Sequence, residues 1–159
     1  MNADSEVMEF FLSPMTREQS DALIDRIAIH FDEHGFGLFA LEKKASGAFL
    51  GFTGLQVCGP GLPVSGEVEI GWRVARAHWR QGFAFEAASA CIQWFWRGTD
   101  RNRLVSFTSH NNQPSQNLMH KLGFAHRPEL DFDHPAIPLD HPHSHQVVFA
   151  LDRKDWRGG

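Results

Sequence analysis

The amino-acid sequence predicts an α/β fold in which a mixed sheet of parallel and antiparallel strands is flanked by helices. Two strand-like stretches joined by Ser46-Gly47 indicate an antiparallel hairpin. Further along, an apolar strand, a helical stretch and a β-branched strand follow closely, which indicates a parallel strand-helix-strand unit. A sheet containing both kinds of pairing is therefore expected.

Length and composition favour one ordinary globular domain, predicted to span residues 1–159, because no repeat or linker divides the chain. Hydrophobic residues make up 42% and charged residues 21% of the chain. The net charge is -4 without a basic run, so nucleic acid is not an expected partner.

No window of the sequence approaches the ~20 apolar residues of a membrane span, and the acidic N-terminal residues do not resemble a signal peptide. We expect no membrane association and a cytoplasmic location.

The chain begins with two predicted helical stretches. The first is short, at about residues 4–11. The second begins at Thr16, a plausible N-cap with Gln19 three residues later, and ends at Gly35. Its apolar residues at helical spacing are Leu23, Ile24, Ile27 and Phe31.

The hairpin and a third strand follow this helix. The hairpin strands are expected at residues 38–43 and 48–57. After a Gly- and Pro-rich loop at 58–66, a third strand is expected at 67–74, where Gly71 is a suitable site for a bulge.

The second half of the chain alternates helices and strands. A long helix is expected at about residues 83–97, a strand at 104–108 and another helix at about 114–122. A His- and Pro-rich loop at 127–143 precedes a last strand at 146–151.

The stretch AHWRQGFAFEA, residues 77–87, lies where ligands of α/β sheets bind, between a strand and the next helix. Gly82 and Ala84 have almost no side chain, so a phosphate can approach the backbone N–H groups of residues 81–85 at the positive end of the helix dipole. We therefore predict a pyrophosphate site. Taken alone, one glycine before a helix is also compatible with a simple loop, but neither G-x-G-x-x-G nor G-x-x-x-x-G-K-[ST] occurs.

Two sequence blocks resemble those of GNAT N-acetyltransferases. VEIGWRV at 68–74, followed by HWRQGFAFEAA at 78–88, is similar to the acetyl-CoA motif of that family. NQPS at 112–115, followed by LMHKLGF at 118–124, is similar to the N-x-x-S…K-L-G-F segment of the ribosomal-protein N-terminal (alanine) acetyltransferase branch. The resemblance covers nearly the whole chain. It implies a GNAT-like splayed sheet and acetyl-CoA as co-substrate, and no metal is expected.

The sequence departs from the family pattern in two places. Trp79 stands where the family usually has Gln or Arg, and Arg80 stands where Gly is common. The chain begins where the family is finishing its first helix, so we expect the family's first strand to be lacking. One wall of the acceptor site and one edge of the hairpin formed by 38–43 and 48–57 would then be uncovered, and a homodimer or larger assembly is expected to cover that edge.

The resemblance also implies where the cofactor binds. The strands at 67–74 and 104–109 would splay apart and leave backbone groups near Trp72 and Val74 for the pantetheine arm. The N–H of Val74 would be the oxyanion donor, unless it makes an ordinary ladder bond. The implied cofactor-binding residues are Trp72, Val74, Arg80, Gln81, Gly82, Phe83, Ala84, Phe85, Asn112 and Ser115.

Catalysis requires a base for the amine and a proton for the departing thiolate. Glu69 is the expected base, with Glu67 second, and an acidic strand face in solvent or a salt bridge is the alternative. The chain has no tyrosine, so Ser115 is expected to relay the proton while Asn112 holds the pantetheine or the loop. Helix capping is the alternative for both residues.

Other functions remain as alternatives. Cys58 and Cys91 lack a His and acid neighbourhood in sequence, which favours direct transfer to the amine over an acyl-enzyme. A metal-dependent enzyme would use the histidines of the segment 131–145. A non-catalytic acyl-CoA-binding or interaction module of the same fold is the second alternative. The acceptor is expected to be a primary amine, either a protein N terminus or a small molecule.

Overall fold

A seven-stranded mixed sheet forms the centre of the computed structural model, which describes residues 1–157; residues 158 and 159 of the predicted domain lie outside that range. The helices are α1 (Arg17–His34), α2 (Phe83–Gly98) and α3 (Gln113–Lys121). The strands are β1 (Leu38–Lys43), β2 (Ala48–Val57), β3 (Val68–Val74), β4 (Arg103–Ser109), β5 (Ala125–His126), β6 (Phe132–Asp133) and β7 (His145–Asp152).

The strand order is β1-β2-β3-β4-β7-β5, with β6 pairing to β7 off this path. Strands β3 and β4 pair in parallel and all other pairs are antiparallel. The predicted fold class, a splayed mixed sheet flanked by helices, is confirmed. Within residues 1–157 no strand precedes β1, which pairs with β2 alone. None of the described helices has the length and apolar character needed to cross a lipid bilayer.

Helix α1 begins and ends where the sequence predicts. The Thr16 hydroxyl accepts from the Gln19 N–H at 3.2 Å, and the Gln19 side chain accepts from the Thr16 N–H at 2.8 Å. The helix ends at Gly35 in the left-handed conformation, with φ 73°. Its predicted apolar face is only partly buried, since Ile24 is 58% exposed.

His30 connects α1 to the end of β2. Its Nε2 accepts a hydrogen bond from the Val57 N–H at 2.9 Å, and its Nδ1 lies 2.7 Å from the Phe36 carbonyl oxygen. Because an N–H can bond only to an unprotonated Nε2, the hydrogen must be on Nδ1, which donates to Phe36. The neutral imidazole, with its hydrogen on Nδ1, is therefore the form that makes both hydrogen bonds.

Apolar side chains pack on both faces of the sheet. One face packs against α2 and α3 and carries the larger cluster, whose fully buried members include Leu55, Ile70, Ile92, Phe95 and Leu104. The other face is covered partly by the loops after β2 and before β7, and its cluster contains Cys58, Val64, Val105, Phe132, Val148 and Ala150. The alternation of strand side chains places neighbouring residues in different clusters.

Two local predictions were wrong. The stretch at 4–11 forms hydrogen-bonded turns without a regular helix. The Met8 N–H donates to the Asp4 carbonyl at 3.0 Å, but the following bonds, Glu9 to Glu6 and Phe11 to Met8, join residues only three apart. Gly71 is not a bulge, since the β2–β3 register is unbroken over 68–74. The irregularity lies between Leu41 and Glu42 of β1.

The region predicted as a loop at 127–143 contains β6 and a single turn of 3-10 helix, Pro128–Leu130. A two-residue strand such as β6 is too short to show the alternation that identifies strands in a sequence.

Candidate active site

The strands β3 and β4 separate shortly after they meet. Their register joins them at Glu69 opposite Val105 and at no later residue. The buried Ser106 hydroxyl donates to the Ile70 carbonyl at 2.8 Å, so a side chain satisfies a backbone group that a neighbouring strand would otherwise pair with. The opening between residues 70–74 and 106–109 is called the β3–β4 gap below.

Backbone groups of β3 face this gap. The Ala75 N–H donates to the Leu50 carbonyl of the β2 side at 2.8 Å, and successive residues of an antiparallel ladder point their backbone groups to opposite sides. Trp72 and Val74 therefore direct their N–H and C=O groups toward the gap. The Trp79 indole N–H donates to the Val74 carbonyl at 2.7 Å, which leaves the Val74 N–H facing the gap.

Helix α2 begins at the wide end of the gap. Gly82 is its N-cap, in the left-handed conformation with φ 87°, and no side chain caps this helix. A Cβ at Gly82 would meet no heavy atom within 4 Å, so the space beside it is open. The first-turn N–H groups of Phe83, Ala84 and Phe85 have no partner within their own helix and can bind an anion.

Positive charge lies near this helix start. The Lys121 ammonium at the end of α3 lies 4.4 Å from the centre of the Phe85 ring. Arg80 is exposed and has φ 57°, an uncommon conformation for a non-glycine residue. The Gln81 side chain donates to the Ala77 carbonyl at 3.0 Å, which holds the loop. The residues predicted to bind the pyrophosphate, 81–85, thus form the end of this loop and the first turn of α2.

Asn112 is the N-cap of α3, which was the alternative role considered for this residue in the sequence analysis. Its Oδ1 accepts from the Ser115 N–H at 3.2 Å and its Nδ2 donates to the Thr108 hydroxyl at 2.9 Å, which connects α3 to β4. Ser115 does not act as a cap. Its half-buried hydroxyl makes no hydrogen bond recorded within residues 1–157, so it is free to bond a ligand.

Glu69 lies at the narrow end of the gap and is 9% exposed. Burial raises the pKa of its carboxyl to about 7, although a hydrogen bond of 3.1 Å from the Gln56 amide favours the ionised form. The alternative of a solvated acidic face is wrong for this residue. No salt bridge to Glu69 occurs among the described side chains.

One face of β3 carries Glu69, Gly71 and Arg73, and residues 1–15 cover part of it; this stretch is the N-terminal segment below. The Arg73 guanidinium carbon lies 4.3 Å from the centre of the Phe11 ring. Arg76 pairs with Glu6 of the same segment. The sequence led us to expect one wall of the acceptor site to be uncovered, whereas this face of β3 is partly covered by the N-terminal segment.

The N-terminal segment extends from β3 toward the end of β4. The Phe10 ring centre lies 6.0 Å from that of His143. His143 Nδ1 lies 3.3 Å from the Ser109 hydroxyl and 3.1 Å from Asn111 Oδ1. Sequence reasoning did not single out Arg73 or Ser109, and it considered His143 only as a possible metal ligand. The one available signal for Arg73 was a basic residue in a strand whose other charged residue, Glu69, is acidic.

Neither the histidines nor the cysteines form a reactive cluster. Among residues 1–157 no group of three or more His, Cys, Asp or Glu side chains is arranged to hold a metal ion. His145 lies 3.1 Å from the Asp133 carboxylate. Burial raises the pKa of Cys58 to about 12 and raises that of Cys91 as well, which disfavours the nucleophilic thiolate.

Comparison with known proteins agrees with this geometry. The family model of the acetyltransferase (GNAT) domain matches residues 1–125. The uncharacterized N-acetyltransferase p20 of Bacillus licheniformis is 35% identical over 124 residues, which cover 77% of this chain and 68% of that protein. The uncharacterized protein YkkB of Bacillus subtilis is 27% identical over 124 residues, 76% of this chain and 69% of YkkB. The aligned region covers 52% of the N-acetyltransferase YjdG of the same species. The chain therefore spans about half to two thirds of the length of these curated relatives.

A solved structure has the same fold. The spermidine N-acetyltransferase of Vibrio cholerae, in complex with CoA and spermine, superposes with a TM-score of 0.73 at 14% identity, over 97% of this chain and 86% of that one. At this identity the likeness concerns the fold alone. The chain belongs to the GNAT acetyltransferase family, whose shared chemistry is acetyl transfer from acetyl-CoA.

We predict that Glu69→Gln stabilises the protein increasingly as pH rises. The folded-state pKa of Glu69 is raised from 4.5 to about 7, so stability is lost as pH rises from 4.5 through 7, where only the unfolded chain ionises. The difference in free energy of unfolding between variant and parent should grow by about 3 kcal/mol from pH 4.5 to pH 8. Urea unfolding at several pH values measures it, and a pH-independent difference would contradict the burial effect. In Gln56→Leu the pKa of Glu69 loses the hydrogen bond that lowers it, so the loss of stability should extend to higher pH.

Proposed function

We propose that this chain transfers an acetyl group from acetyl-CoA to a primary amine by direct attack. The acceptor would be a protein N terminus or a small-molecule amine. The observation that carries this proposal is the β3–β4 gap, which opens beside the uncapped start of α2. A cytoplasmic location stays a prediction from composition.

The cofactor would lie along the gap. Its pyrophosphate would bind the N–H groups of residues 81–85, with Arg80 and Lys121 nearby as cations. The pantetheine arm would pair with backbone groups of Trp72 and Val74 that face the gap. The Val74 N–H would then stabilise the negative oxygen of the tetrahedral intermediate.

Glu69 would accept the proton of the attacking amine. A carboxyl with a pKa of about 7 is partly ionised at neutral pH, which suits a general base. The amine nitrogen forms a bond to the acetyl carbon and the carbon–sulfur bond then breaks. The departing thiolate would take a proton relayed by the Ser115 hydroxyl, which has no partner in the described chain.

The acceptor class within the family is a further proposal. The K-L-G-F block favours the ribosomal-protein alanine acetyltransferase branch, and hence a peptide N terminus, whereas the spermidine N-acetyltransferase named above acts on a polyamine. A non-catalytic module is less favoured than an enzyme, because the acceptor face carries the N-terminal segment and a buried carboxylate.

One assay tests the proposed activity. The protein is mixed with radiolabelled acetyl-CoA and a panel of peptides, polyamines and amino compounds, and both labelled product and free thiol are measured. Amine-dependent release of equal amounts of product and thiol is expected. Acetyl-CoA binding by calorimetry without turnover on any amine would instead favour the non-catalytic module.

We predict that Gly82→Glu abolishes measurable acetyl-CoA binding. A carboxylate about 4 Å from a phosphate repels it by about 1 to 4 kcal/mol, depending on screening by water, which weakens binding roughly 5- to 1000-fold. Gly82→Ala is the matched control, because it adds the strain of a side chain at φ 87° without the charge. Calorimetry should show weak or no binding for the glutamate variant alone. Equal affinities for both variants would refute the pyrophosphate assignment.

We predict that Ser115→Ala lowers kcat more than it weakens acetyl-CoA binding. The thiolate needs its proton mainly in the transition state, so the loss should be concentrated in turnover. Asn112→Ala serves for comparison, since Asn112 caps α3 and its removal should also lower stability, by about 1 kcal/mol. Equal losses in binding and turnover for Ser115→Ala would favour a structural role.

We predict that the chain forms a homodimer or larger assembly through β1. The outer edge of β1 has no strand partner within residues 1–157, and Phe39 of this strand is exposed. Sedimentation at tens of micromolar, well above a ~1 μM dissociation constant, should show association. Phe39→Lys should weaken it. A well-folded monomer at this concentration would rule the assembly out.

A further inference from the structure

Arg73 is a half-buried cation without a carboxylate partner among the described residues. Among the described residues its recorded partners are neutral: Asn2 Oδ1 at 3.0 Å, Met15 Sδ at 4.0 Å, and the rings of Phe11 and Phe52 at 4.3 and 5.2 Å. Its Nε is buried and has no hydrogen-bond partner. The positive charge is thus left without a compensating negative charge in the protein.

An uncompensated buried charge is unfavourable, because the protein interior replaces little of the solvation that water provides. Burial lowers the pKa of Arg73 to about 10, which still leaves the guanidinium charged at neutral pH. Buried charges in proteins are normally paired, so an anion that binds here would compensate Arg73. Arginine suits a carboxylate because its planar fork can donate two parallel hydrogen bonds.

The position of Arg73 connects it to the acceptor site. Residues two apart on a strand share a face, so Arg73, Gly71 and Glu69 lie in a row on one face of β3. Gly71 is opposite Gly54, and a Cβ at Gly71 would meet no heavy atom within 4 Å. The space beside Gly71 is therefore open, with the Glu69 carboxyl on one side and the Arg73 guanidinium on the other. The Cα atoms of Glu69 and Arg73 are about 13 Å apart at 3.3 Å per residue.

We propose that Arg73 binds a carboxylate of the acceptor, so that the substrate is an aminocarboxylate, such as an extended amino acid or a short peptide. Its amine lies toward Glu69 and the narrow end of the gap, and its carboxylate lies toward Arg73. This inference rests on the proposed acetyl transfer and names the substrate class. A polyamine, which carries only positive charges, is disfavoured by Arg73.

A purely structural role for Arg73 makes a different prediction. Arg73 holds the N-terminal segment through Asn2 and Phe11, and Arg76 holds the same segment through Glu6. If anchoring were the whole role, Arg76→Gln would change acceptor selection much as Arg73→Gln does. Arg76 is therefore the matched control, because its removal loosens the segment and leaves the positive charge of Arg73 in place.

The test compares three amines of equal chain length: 5-aminopentanoate, 5-aminopentanamide and pentylamine. The parent should acetylate the carboxylate with a kcat/KM about 10- to 100-fold above the other two, as expected for hydrogen bonds to a charged group. Arg73→Gln should remove this preference, Arg73→Lys should keep part of it, and Arg76→Gln should keep it. Circular dichroism and urea unfolding establish that each variant is folded.

Three results would overturn the proposal: equal kcat/KM values in the parent, a preference for pentylamine, or equal loss of preference in Arg76→Gln and Arg73→Gln. If none of the amines is acetylated, the proposed activity is not supported, and the proposed carboxylate site is then tested by binding alone. Calorimetry of 5-aminopentanoate with the CoA-saturated protein then decides it. Binding that Arg73→Gln removes and Arg76→Gln retains supports the site, and absence of binding overturns it.

Discussion

The separation of β3 from β4 after Glu69 and Val105 is the constraint on which the site depends. It interrupts a parallel ladder in the middle of a sheet, where unpaired backbone groups are costly. The Ser106 hydroxyl offsets part of this cost at the Ile70 carbonyl. The backbone groups of Trp72 and Val74 that remain unpaired face this opening, and the helix that follows β3 begins at its wide end.

Two ionisable residues beside this opening, the buried Glu69 and the half-buried Arg73, lie on one face of one strand. Burial raises the pKa of Glu69 to about 7 and lowers that of Arg73 to about 10. Neither has a partner of opposite charge among the described residues. Such unfavourable arrangements are concentrated at functional sites, because a folded protein keeps them only where the rest of the chain compensates and a ligand uses them.

The N-terminal segment is part of this site. Arg73 and Arg76 hold it to β3, and the Asn2 amide donates to the Ser20 hydroxyl of α1 at 2.8 Å. Because Val7 and Met8 are buried, the segment contributes apolar contacts as well as cover. Acceptor selection would therefore depend on turns whose sequence has no recognisable motif, which fits a family in which the acceptor varies while the cofactor site is shared.

The sequence by itself determined most of the helices and strands and predicted the turn proposed to bind the cofactor. Periodicity, the capping box at Thr16 and the glycine at position 82 are local signals. Except for the stretch at 4–11 and the two-residue strands β5 and β6, the predicted helices and strands agree with the structure to within one or two residues. Only the tertiary structure decided the burial of Glu69, the uncompensated charge of Arg73 and the folding of residues 1–15 over β3. These properties depend on contacts between residues far apart in sequence, such as Arg73 with Asn2, and a pattern within one strand does not record what packs against it.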